Sequence, residues 1–213
     1  MAVLDYLIKE PEVKKDKNPL LLLLHGYGSN EEDLFSFAEE LPNDYFVISV
    51  KAPYPLQPYG NAWYAIHFDA DQNKFSDDEQ AKASRDLIVK FIDELCNKYS
   101  IDTNNINLLG FSQGSILSMA VALSYPEKVK NVIALSGYLN TELVQSTDLI
   151  NRHKVNYFIA HGTQDQVIPV DWARKTIPFM EEHNQNFEYN EYPIGHGVSP
   201  KVFMDFKNWL LKH

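Results

Sequence analysis

The sequence predicts an α/β fold: a mostly parallel central sheet flanked by helices, forming one domain over residues 1–213. Three observations predict it. Short apolar runs alternate with helical periodicity along the whole chain, as parallel strands joined by crossover helices require. One run, Leu20-Leu21-Leu22-Leu23-Leu24, is continuously apolar, as a strand buried on both faces must be. A second apolar run, Ile106-Asn107-Leu108-Leu109, passes through Gly110-Phe111-Ser112-Gln113-Gly114 into a helix-like stretch, giving a strand, a tight turn and a helix in succession.

The elements follow in order. Residues 3–9 read as a first strand, and 11–19, charged and bounded by prolines, as a turn. Residues 20–24 are the leucine strand. Residues 30–41 read as a helix with Asn30 as N-cap and Asp33 at its N3 position. Residues 45–50 make the next strand, and a proline-rich loop over 52–60 leads into Ala62-Trp63-Tyr64. Residues 77–99 carry helical periodicity through Ala83, Leu87, Phe91 and Leu95. Strands are expected over 105–109, 129–135, 155–160 and 187–192. Helices are expected over 115–124, over 171–184 with a kink at Pro178, and over 200–211. The segments after Leu135 and Ala160 leave little room for an inserted cap domain, so the site is expected to be open.

Bulk properties narrow the class. The 213 residues, 45% hydrophobic and 23% charged, suffice for one well-buried core. A net charge of −10 disfavours nucleic acid and anionic membrane surfaces as partners. The one cysteine, Cys96, excludes an internal disulfide, and its neighbours Phe91, Ile92 and Leu95 mark it as a packed thiol. The first residues lack a basic segment followed by a long apolar stretch, and the run 20–24 is far too short to cross a bilayer. A cytoplasmic protein without stable membrane association is the expectation.

The chemistry starts at Ser112. Gly110 and Gly114 allow a turn tight enough to lift its hydroxyl above the sheet edge, and the helix N-terminus that follows faces any negative charge formed there. A serine hydroxyl is a poor nucleophile without a histidine to take its proton and an acid to hold that histidine. His196 lies in Pro193-Ile194-Gly195-His196-Gly197, between the last strand and the last helix, where flanking glycines let an imidazole point into a cleft. Asp165 follows the strand ending at Ala160, in a loop at the carboxyl end of a strand. Asp148, in a polar segment, and Asp171, at a helix start, are weaker alternatives. For the oxyanion, the backbone N–H of Gln113 offers one donor. That of Tyr27, in His25-Gly26-Tyr27-Gly28 after the leucine strand, offers the other. His25 is read as orienting that loop. Trp63, Tyr64, Tyr27 and Tyr138 fall on loops at the same edge and suit the walls of an acyl or aryl pocket.

Together these residues make the chain resemble an α/β-hydrolase. More narrowly, it resembles the phospholipase/carboxylesterase family that includes the acyl-protein thioesterases. The likeness is carried by Leu24-His25-Gly26-Tyr27-Gly28, Gly110-Phe111-Ser112-Gln113-Gly114, Leu135-Ser136-Gly137, His161-Gly162-Thr163-Gln164-Asp165-Gln166-Val167-Ile168-Pro169 and Gly195-His196-Gly197. It implies the α/β-hydrolase fold without a large cap domain, a Ser112, Asp165 and His196 triad, and oxyanion donors from Tyr27 and Gln113. It further implies hydrolysis of small-molecule carboxylic esters or thioesters through an acyl-enzyme, with no metal or organic cofactor. The thioesterase branch commonly has an aspartate where this chain has Ser29-Asn30, and Ala62-Trp63-Tyr64 looks more like the bacterial carboxylesterase branch. Short to medium acyl esters are therefore the first expectation. Long-chain lysophospholipid or acyl-protein substrates are the alternative, and a homodimer is the weaker expectation for assembly.

Overall fold

A computed structural model describes residues 3–68, 74–145, 150 and 153–213. Its centre is a sheet of seven strands: β1 (Tyr6–Lys9), β2 (Asn18–Leu24), β3 (Phe46–Val50), β8 (Ile101–Phe111), β9 (Asn131–Leu135), β10 (Asn156–Gly162) and β11 (Asn186–Tyr192). Two antiparallel hairpins stand apart from it, one pairing β4 (Tyr54–Pro55) with β5 (Asn61–Ala62), the other β6 (Ile66–Phe68) with β7 (Lys74–Ser76). The large sheet runs in the order β1-β3-β2-β8-β9-β10-β11. Only β1 is antiparallel to its neighbour.

The leucine run explains the layering. Strand residues alternate faces, so Leu20, Leu22 and Leu24 enter one core and Leu21 and Leu23 the other. The first core is closed by α2 (Asp78–Lys98) and α3 (Gln113–Ser124), the second by α6 (Pro200–Leu210) and α1 (Glu32–Phe35). Every residue of α3 is buried, as befits a helix sealed between the sheet and α2. Asp77 caps α2 by accepting the Gln80 N–H at 3.0 Å, and Ser199 caps α6 through the Val202 N–H at 3.3 Å.

Two expected helices are broken. In place of one helix over 30–41 there is α1 and a separate 3-10 turn, Ala38–Glu40. The Ser36 hydroxyl donates to the Asp33 carbonyl at 2.6 Å, the acceptor a continuing helix would give to the Phe37 N–H, which turns to Leu34 instead. Asn30 still accepts the Glu32 N–H at 2.9 Å, but the Asp33 carboxylate is taken by the Ser29 hydroxyl at 2.7 Å. The helix expected over 171–184 is split at Lys175 into α4 (Val170–Arg174) and α5 (Thr176–Glu182). Pro178 has no N–H for the Arg174 carbonyl, so the break falls upstream of the proline rather than as a kink at it.

Asparagines cross the sheet near its N-terminal edge. Asn107, Asn131, Asn156 and Asn186 lie directly opposite one another on β8, β9, β10 and β11. The Asn186 amide donates to Asn156, Asn156 to Asn131 at 2.8 Å, and Asn131 to Asn107 at 2.7 Å. Asn107 ends the series on the Leu20 carbonyl of β2 at 2.9 Å. At the opposite, C-terminal edge emerge the loops after β2, β8, β10 and β11, where parallel sheets carry their sites.

Candidate active site

The turn at Ser112 is as tight as its flanking glycines imply. Ser112 has φ 55° and ψ −116°, a region that costs a non-glycine residue about 1–3 kcal/mol. It is held there by its own N–H, which donates to the Leu135 carbonyl at 2.9 Å, and by its carbonyl, which accepts the Ile116 N–H at 3.1 Å. A Cβ on Gly110 would collide with the Gly114 carbonyl, and one on Gly114 with the Leu24 carbonyl. Bulk at either place would push the turn off the sheet.

The structure brings Ser112, His196 and Asp165 into one line. His196 Nε2 lies 3.1 Å from Ser112 Oγ, and Nδ1 lies 2.6 Å from Asp165 Oδ2. Asp165 is an acceptor only, so Nδ1 carries the proton and Nε2 is left to accept from the serine. The other oxygen of Asp165 accepts the N–H groups of Val167 and Ile168 at 2.8 and 2.9 Å. The side chain is fully buried, and this double anchor fixes the carboxylate plane. The Phe111 ring packs on the His196 ring at 4.9 Å between centroids. A second imidazole, the buried His161, places Nε2 2.8 Å from the Ile168 carbonyl and 3.4 Å from Asp165 Oδ2. Asp171 is exposed and paired with Arg174 at 2.8 Å, away from His196. Asp148 lies outside the described residues.

The loop after β2 is braced from beneath. His25 Nε2 accepts the Ala52 N–H at 3.0 Å, and Nδ1 donates to the Gly26 carbonyl at 2.7 Å. Burial lowers the pKa of His25 against the pull of that carbonyl, Asp33 and Glu31, so the neutral ring is favoured. The N–H of Gln113 opens α3, where no intrahelical acceptor exists. Among the described residues the Tyr27 N–H has no hydrogen-bond partner. The Gln113 side chain does a job the sequence did not disclose. Its Oε1 accepts the Trp63 N–H at 3.0 Å and its Nε2 donates to the Tyr64 carbonyl at 2.9 Å, clamping the 61–65 segment to the turn.

A cavity of about 550 Å³ opens over Ser112 and His196. Tyr27, Tyr64 and Tyr138 line it. Trp63 does not, contrary to expectation: it is fully buried, its indole N–H donates to the His25 carbonyl at 2.9 Å, and its carbonyl accepts the Ser84 hydroxyl. It braces the loop rather than the substrate space, because a polar handle inside the core must be spent on a partner. The remaining wall was not foreseen. Trp172 meets Tyr138 edge-on at 5.4 Å, and Ser29, Asp33, Ser76 and Asp78 supply polar lining. Cys96 is half-buried against the core away from this site, and burial raises its thiol pKa.

A profile of the phospholipase/carboxylesterase family matches residues 7–213. The chain belongs to that family. It is 27% identical over 208 residues to acyl-protein thioesterase 1 of Kluyveromyces lactis, covering 91% of each chain. Among solved structures, it superposes on the Bacillus cereus carboxylesterase with a TM-score of 0.84 at 24% identity, covering 99% of this chain and 95% of that one. It also superposes on Zea mays acyl-protein thioesterase 2 with a TM-score of 0.77 at 19% identity, covering 98% of each. The fold is therefore the α/β-hydrolase fold, with no large cap among the described residues, and family membership makes the chain an ester hydrolase.

For a member of this family the site's chemical capacity is simple. It presents a serine hydroxyl beside the Nε2 of an imidazole whose Nδ1 is held by a buried carboxylate, under a cavity of aromatic and polar lining. Among the described residues no group of three or more histidine, cysteine, aspartate or glutamate side chains could hold a metal ion, and no helix is long and apolar enough to cross a membrane.

Proposed function

We propose that this phospholipase/carboxylesterase family member is a serine carboxylesterase acting on esters of short to medium acyl chains through an acyl-enzyme. One observation carries the reading: His196 bridges Ser112 at 3.1 Å and Asp165 at 2.6 Å on a buried, doubly anchored carboxylate. Ser112 Oγ attacks the ester carbonyl while His196 Nε2 takes its proton, and Asp165 stabilises the imidazolium that forms. The N–H groups of Tyr27 and Gln113 receive the oxyanion. His196 returns the proton to the departing alcohol, then activates a water that attacks the acyl-enzyme and frees the acid and Ser112.

The chain-length preference follows from the wall. Ser29, Asp33, Ser76 and Asp78 interrupt the apolar lining, so a long alkyl chain would have to desolvate carboxylates. The likeness to acyl-protein thioesterase 1 supports a second reading, hydrolysis of long-chain esters or thioesters. We place the protein in the cytoplasm, without stable membrane association, as a homodimer on small-molecule substrates.

The test is hydrolysis of p-nitrophenyl esters from acetyl to palmitoyl by wild type and Ser112→Ala, with fluorophosphonate labelling alongside. Activity should peak at short or medium chains and fall by several orders of magnitude in the variant. A long-chain optimum selects the second reading. An unlabelled serine with undiminished Ser112→Ala activity overturns both.

A further inference from the structure

We propose that the cavity selects esters bearing a positive charge over anionic ones, with Asp33 and Asp78 as the specificity-determining residues. The inference rests on the serine-esterase reading and adds the charge class of the substrate. Both aspartates line the same cavity as Ser112 and His196, and among the described lining residues there is no lysine or arginine. Their hydrogen-bond partners are neutral. Asp78 accepts the Ser76 hydroxyl at 2.8 Å and the Asn140 amide at 3.2 Å, and Asp33 accepts the Ser29 hydroxyl at 2.7 Å. Neutral donors orient a carboxylate and leave its charge in place.

Asp78 opens α2 and Asp33 lies in the first turn of α1. A helix N-terminus offsets part of a charge placed there, by about half an elementary charge for a long helix. Lys82, the cation that feels Asp78 from the same helix, bonds Glu79 at 2.9 Å and does not line the cavity, so the described lining stays net negative. The aromatic wall adds to the same preference. Tyr27, Tyr64, Tyr138 and Trp172 line the space, and ring faces attract ammonium groups. The field of Asp78 reaches Tyr64 and Tyr138: burial raises both phenol pKa values first, followed at Tyr138 by Asp78 and at Tyr64 by Tyr138 and then Asp78. An anionic substrate would meet two like charges, the half-buried Asp78 and the exposed Asp33 at the rim. A cationic one would meet two opposite charges and the ring faces. The chain's net charge of −10 steers approach in the same direction.

The experiment compares esters matched in size. On the alcohol side these are butyrylcholine, its neutral 3,3-dimethylbutyl isostere and 3-sulfopropyl butyrate. On the acyl side they are p-nitrophenyl esters of 4-(trimethylammonio)butyrate, its neutral isostere 5,5-dimethylhexanoate and 4-sulfobutyrate. The expected result is a kcat/KM at least about tenfold higher for the cationic than for the anionic ester on at least one side, the order of effect that two carboxylates lining one cavity give at an intermediate dielectric. That ratio should shrink in 0.5 M NaCl, and it should fall at least about fivefold in the Asp33→Asn/Asp78→Asn double variant. Because each ratio is taken within one protein, a general loss of activity cancels. Asp33→Ser/Asp78→Ser serves if the asparagine pair is unstable, serine being a good residue for a helix start. A wild-type ratio within twofold on both sides, or one that both double variants leave unchanged, overturns the proposal. Failure of wild type to hydrolyse the neutral esters would instead overturn the esterase reading beneath it.

Discussion

Replacing Asp165 by asparagine should abolish activity while leaving the fold intact, and the structure says which atom is responsible. The oxygen that accepts the Val167 and Ile168 N–H groups at 2.8 and 2.9 Å must remain an oxygen. Turning the amide NH2 toward those donors would leave both unsatisfied, at about 1–3 kcal/mol each. The NH2 is therefore forced into the place of Oδ2, 2.6 Å from His196 Nδ1 and 3.4 Å from His161 Nε2. A donor then faces a donor. The His196 ring relieves this by moving its proton to Nε2, and the nitrogen 3.1 Å from Ser112 Oγ becomes a donor that cannot act as base. In serine proteases the same tautomer error lowers kcat by about 10⁴-fold, roughly 5.5 kcal/mol at 1.36 kcal/mol per factor of ten. The assay is steady-state hydrolysis of p-nitrophenyl butyrate, with a thermal melt of the variant beside it. A folded Asp165→Asn protein with kcat within tenfold of wild type would refute the reasoning.

Two further outcomes are expected. Asn131→Leu removes the middle rung of the asparagine series and leaves the Asn107 carbonyl and the Asn156 amide without their partners; urea unfolding should show a loss of about 2–5 kcal/mol, and a loss under 0.5 kcal/mol would mean the series contributes nothing. For His25, burial favours the neutral ring and lowers its pKa below 6.5. The unfolded chain then binds the proton first, so its contribution to stability is complete above about pH 6.5 and declines as pH falls below it, by at most ~1.36 kcal/mol per pH unit. Denaturant melts between pH 5 and 8 should slope less steeply in His25→Gln than in wild type, and equal slopes would count against the assignment.

Much of the architecture was legible because single residues leave little choice. Five leucines in a row can be satisfied only between two cores, and two glycines around Ser112 admit only a crowded turn. Loop residues at the ends of successive parallel strands converge by topology alone, which is why Ser112, Asp165 and His196 could be sought in separate motifs. Legibility failed where a side chain competed with the backbone or acted across the fold. Nothing in the 30–41 pattern announced that the Ser36 hydroxyl would take the Asp33 carbonyl. Trp63 looked like a pocket wall because aromatic residues on loops often are one, but its indole N–H found the His25 carbonyl 38 positions away. Asp33 reads as a helix-start residue, and Asp78 falls at the start of the helix expected over 77–99; both do lie in first turns. That they also face the substrate space depends on how α1 and α2 are placed against the sheet, and local sequence carries no trace of it.

The asparagine series has a consequence for the order of folding events. Each amide is useful only when its neighbour's strand is already in register, and a one-residue slip would turn an amide to the opposite face of the sheet. The series runs from the sheet edge at Asn186 to the Leu20 carbonyl on β2, so it is complete only after five strands have docked. Any rung that forms after the folding transition state holds back unfolding more than it hastens folding. The rungs tie five strands together at the end of the sheet far from Ser112. They resist opening of the scaffold on which the strained turn sits, while leaving the cavity edge free of the same restraint.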